Sequence, residues 1–104
     1  MKFHGYGFSL GQNFNPSWET PWSEESLKRG FKNPELLRFE QWGEDLRKTC
    51  LFIDESEDWG EQTINELNIE FASTIPAWNK LLVDYCEIMN IKYQTPGWYL
   101  SDER

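Results

Sequence analysis

Carboxylates dominate the chemistry this sequence could perform. No Lys or Arg lies between Thr49 and Asn79, and seven acids fall in that interval: Asp54, Glu55, Glu57, Asp58, Glu61, Glu66 and Glu70. Carboxylates hold cations, trade protons or set up a negative field. For cations, Asp54, Ser56 and Asp58 stand at positions 1, 3 and 5 of a calcium loop. Position 6, where glycine makes the sharp turn, is Trp59, and position 12, where a bidentate Glu belongs, is Asn65, so the spacing predicts an acidic loop and no metal. For proton transfer, Asp54, Glu57 and Glu61 are the candidates in a small hydrolase or transferase. No His, Lys or Arg lies near them in sequence to tune them or hold a substrate. The field remains. Unneutralised, it repels nucleic-acid phosphates and anionic lipid and speeds encounter with basic surfaces.

The other reactive groups read as packing. The one histidine, His4, has no nucleophile of recognisable context beside it and is expected at the surface of a strand. Cys50 and Cys86 are 36 residues apart, without the close pairs of a zinc site or the density of a disulfide scaffold. They are expected as reduced, buried thiols on apolar stripes. Gly5-Tyr6-Gly7 opens like a dinucleotide fingerprint, but Leu10 stands where the third glycine is required and a Pro-containing loop follows instead of a helix. Asp84 and Glu87, one helical turn apart, are an ordinary polar pair. No cofactor is expected.

The whole chain sets the bounds for these groups. It has 104 residues, 18 acids against 10 bases, a net charge of -8 and one histidine. Residues 1–52 hold seven bases and seven acids, and residues 53–104 hold three bases and eleven acids, so the entire excess lies in the second half. The length suits one compact domain over residues 1–104 and rules out a large multi-step enzyme. Mean hydropathy is -0.73, but aromatics make up 16% of the chain, with six Trp, and disordered chains are poor in aromatics. The N-terminal segment lacks the apolar stretch of a signal peptide, and no run approaches the length that crosses a bilayer, so a cytoplasmic protein with no membrane partner is expected.

The elements that must position the acids follow from periodicity. Residues 2–10 alternate as a strand, with Tyr6, Phe8 and Leu10 on one face and an out-of-phase Phe3 that suggests a bulge at Gly5. Phe14, Trp18 and Trp22 are expected to fold back onto the core, and Ser23 to cap a short helix ending near Gly30. From Asn33-Pro34, the steps between Leu36, Phe39, Trp42, Leu46, Cys50 and Ile53 predict an amphipathic helix of about 18 residues. Thr74-Ile75-Pro76 opens another, with Trp78, Leu82, Tyr85 and Met89 in one stripe, ending near Asn90. Between them, residues 66–71 alternate as a half-buried strand, in competition with a helical reading of Ile64, Leu67 and Phe71. Residues 91–93 and 98–100 flank Pro96-Gly97 as further short strands. The sum is an α+β domain, a mainly antiparallel sheet of three or four strands with two or three helices on one face; the alternative is an all-helical bundle.

The functional expectation is a non-enzymatic acidic binding protein. Asp54, Glu55, Glu57, Asp58, Glu61, Glu66 and Glu70, with Trp59 and Trp98 as aromatic anchors, would plug the basic groove of a nucleic-acid-binding enzyme by charge mimicry, with no direct contact to nucleic acid. Toxin-immunity proteins and phage-encoded anti-restriction or anti-CRISPR inhibitors share this size and charge, an analogy of class only. The alternatives are the carboxylate hydrolase or transferase above and a structural subunit whose acids only keep it soluble.

Overall fold

The computed structural model describes residues 1–11, 22–42 and 48–101. The chain runs β1 (Lys2–Gly11), α1 (Trp22–Lys28), a 3-10 turn (Pro34–Leu36), β2 (Leu37–Trp42), β3 (Lys48–Ile53), a second 3-10 turn (Asp54–Ser56), β4 (Asp58–Gly60), α2 (Ile64–Glu70), α3 (Ile75–Met89) and β5 (Gly97–Ser101). All strand pairings are antiparallel. The architecture is α+β, and the all-helical alternative is excluded.

β1 organises the sheet. Gly7 pairs with Phe52 of β3 and with Gly97 of β5, while Phe3 and His4 pair with β4 and with β5. β5 therefore occupies one edge of β1, and β3 and β4 share the other, one strand course interrupted by the turn at 54–56. At that interruption the ladder is repaired by a side chain. The buried Ser56 hydroxyl accepts from the Tyr6 N–H at 2.8 Å and donates to the Ile53 carbonyl at 2.6 Å. β2 pairs along the far side of β3, from Leu37 opposite Ile53 to Trp42 opposite Lys48.

Alternation assigns the two sheet faces. Tyr6, Phe8, Leu51, Ile53 and Trp98 point to the helices and pack with Phe31, Leu67, Trp78, Leu82, Tyr85, Cys86 and Met89. Each fully buried aliphatic in that set, such as Leu51, Ile53, Leu67 and Leu82, contributes about 1.5–3 kcal/mol. On the opposite face Phe3, Cys50, Phe52 and Tyr99 form a smaller cluster. Phe3 is thus in phase with the second face, and the bulge expected at Gly5 is absent: pairing with β5 is continuous from Phe3 to Gly7, and the irregularity lies between Ser9 and Gly11. Gly7 is required where it is, because a Cβ there would run into the Leu51 carbonyl oxygen.

Several expectations are corrected. The helix expected from Asn33-Pro34, with its stripe from Leu36 to Ile53, is a 3-10 turn followed by the paired strands β2 and β3; Leu46 lies outside the described residues. The Cys50-Leu51-Phe52-Ile53 run is buried on both sides of the sheet, so packing on two faces outweighs the helical spacing. Residues 66–71 are not a strand. Thr63 and Glu66 close a capping box, in which the Thr63 hydroxyl accepts from the Glu66 N–H at 3.2 Å and the Glu66 carboxylate accepts from the Thr63 N–H at 3.1 Å, and helix α2 follows. Residues 91–93 form no strand, whereas β5 covers the expected 98–100. α1 begins at Trp22, so Ser23 lies inside its first turn and does not cap it; Gly30 stands beyond its end at φ +104°, and α3 ends at Asn90 in the left-handed region. Phe14 and Trp18, and the side chain of Trp22, lie outside the described residues.

Candidate functional site

The seven acids divide into two groups. Three of them, Asp54, Glu55 and Glu57, are held by side chains of other elements, although Glu55 is itself exposed. Arg38 projects from β2 on the sheet face opposite the helices, and its guanidinium stands 2.9 Å from Asp54, 3.7 Å from Glu57 and 3.9 Å from Glu40. The Glu57 side chain is only 6% exposed there, close above Gly5. Glu55 points the other way, and its carboxylate accepts from the Trp78 indole N–H at 2.6 Å, tying the 54–56 turn to α3. The base-free interval of the sequence is thus partly neutralised in space by a residue at least 16 positions upstream, brought there by the β2–β3 pairing (Arg38 opposite Phe52).

The remaining acids form a rim. Asp58 on β4, Glu61 in the connection, and Glu66 and Glu70 on α2 are all exposed. The Asp58 carboxylate accepts from the following Trp59 N–H at 2.8 Å, and Glu66 serves the capping box; Glu61 meets the N-terminal ammonium at 3.0 Å, with both groups largely in solvent. Among the described residues no base pairs with Asp58, Glu66 or Glu70. An exposed pair such as Glu61 with the N-terminus is worth little, so the rim keeps most of its field. The ribbon carrying these groups passes from the edge of the sheet, around the end where β1 begins, onto the helical layer. There Lys2, Glu61, Gln62, Thr63, Ile64, Asn65 and Leu100 line an open groove of about 480 Å³.

The aromatic anchors separate in the same way. Trp59 is 39% exposed and lies edge-on to Phe3 at 5.8 Å on the back of the sheet. Trp98 is buried, with ring centroids 5.3 Å from Tyr6, 5.4 Å from Phe71, 5.6 Å from His4 and 5.9 Å from Trp78, so it belongs to the core and offers a partner nothing. Two exposed apolar residues lie beside these acids on α2, Ile64 and Ile69, the latter 78% exposed next to Glu70. The capping box at Thr63 and Glu66 was the signal that could have placed them on a helix.

Little else converges into a reactive centre. His4, expected at the surface, is buried on the helix-side face beside Trp98, where its neighbours across the ladders are Asp58 and Leu100. Ser56 and Asp58 are turned onto backbone N–H groups and Asp54 onto Arg38, so the three residues of the calcium-like spacing do not face a common point. Among the described residues no three His, Cys, Asp or Glu side chains gather in a metal-holding cluster. Both cysteines are buried and neither is in a disulfide, and burial pushes the Cys86 thiol up to about 11, away from the range of a nucleophile. Burial also raises the Tyr6 phenol, opposed by the hydrogen bond it donates to Asn79 at 2.7 Å. No described helix is long and apolar enough to cross a membrane. Compared with known proteins, the chain matches no family model, no curated protein and no solved structure.

Proposed function

We propose that this chain is a non-enzymatic binding protein that occupies a basic, nucleic-acid-binding surface of a partner enzyme and blocks it. The carrying observation is the rim of Asp58, Glu61, Glu66 and Glu70, exposed and without a described side-chain base, on a chain of net charge -8. Charge of this sign and density steers encounter with a positively charged groove, and Trp59 with Ile64 and Ile69 supplies the apolar contact that charge alone does not. Asp54, Glu55 and Glu57 support the rim from behind through Arg38 and Trp78 and are not themselves the contact surface. Immunity proteins and phage anti-defence inhibitors acting inside the cell are the class this reading fits. The carboxylate-enzyme alternative draws support from one feature only, the Arg38 cluster. Its guanidinium is engaged by acids of the same chain, which suits a structural role better than substrate binding.

The test uses immobilised wild-type protein in a nucleic-acid-free lysate, with D58N/E61Q/E66Q/E70Q as the control. Gln at position 66 can still close the capping box, so the variant keeps its helix. The wild type should retain a basic protein that elutes as salt rises and whose nucleic-acid binding it displaces, while the variant should fail at both. Capture that is indifferent to the four substitutions and to salt overturns the proposal.

A further inference from the structure

We draw no further inference here: the strongest candidate, the buried pair of His4 and Trp98 on the helix-side face of β1 and β5, whose Nδ1 and Nε1 atoms have no hydrogen-bond partner among the described residues, carries nothing, because the core closes over both atoms and leaves almost no surface at either for a ligand to reach.

Discussion

Ser56→Ala should be among the most damaging single-atom changes available in this protein. The Ser56 hydroxyl serves both sides of the break between β3 and β4: it accepts from the Tyr6 N–H and donates to the Ile53 carbonyl, and Ser56 and Tyr6 are both buried. Alanine keeps the shape and removes both bonds. A buried polar group left without a partner costs about 1–3 kcal/mol, with the carbonyl toward the lower end because it has a second lone pair, so the pair should cost about 2–4 kcal/mol. For a domain near 100 residues each kcal/mol shifts the melting temperature by about 4–8 °C, which places the variant about 8–32 °C below the wild type. Urea unfolding is the direct assay: the midpoint should fall at unchanged slope, and the Tyr6 amide should lose most of its protection from hydrogen exchange. A loss below about 0.5 kcal/mol, the range of neutral surface changes, would mean that the turn at 54–56 does not bridge the ladder, and the assignment of β3 and β4 to one edge of β1 would fall with it.

Three further outcomes follow from other contacts. Glu55→Ala should destabilise by about 1–2 kcal/mol and Glu55→Gln by less than about 1, because the amide still offers an oxygen to the Trp78 indole N–H; chemical denaturation decides, and a Glu55→Ala more stable than wild type would show that relief of acidic repulsion outweighs that bond. The two thiols should resist Ellman's reagent at pH 8 until the protein is unfolded, and reductant should leave the melting temperature unchanged. Alkali should destabilise: with Cys86 raised from an ordinary 9.0 to about 11 by burial, its contribution is fully present below pH 9 and is lost as pH rises from 9 to 11, with buried Tyr85, also raised, acting in the same direction. A denaturation midpoint that is flat or rising across that window would contradict the burial of both side chains.

How much was legible in the sequence depended on how many faces an element buries. α3 buries one stripe, and its Trp78, Leu82, Tyr85 and Met89 were readable at helical spacing down to the Asn90 stop. β3 is buried on both faces, so it has no period of its own, and its residues lent themselves to a helical stripe drawn onward from β2. In α2 the alternation of Glu66, Leu67, Asn68, Ile69, Glu70 and Phe71 resembles a strand because Ile69 is an exposed apolar residue on a helix, and the Thr63–Glu66 box was the better guide. The acidic stretch itself was visible as composition. Its division into an anchored half and a free rim was not, since Arg38 and Trp78 reach it only through pairing and packing distant in sequence.

The central position of β1 also governs how the protein must come together in time. Its partners lie far along the chain: Gly7 meets Phe52, Phe3 meets Trp59, and Phe3 also meets Ser101, a separation of 98 residues. The β2–β3 hairpin and the α2–α3 pair are local and can form within microseconds, whereas β1 gains its neighbours only after two long loops have closed, each at an entropic cost that no nearby contact offsets beforehand. High contact order of this kind slows folding relative to a helical bundle of equal length. Until closure, β1 exposes two open edges and an aromatic face at once, so the interval before β5 docks is when this chain is most vulnerable to aggregation.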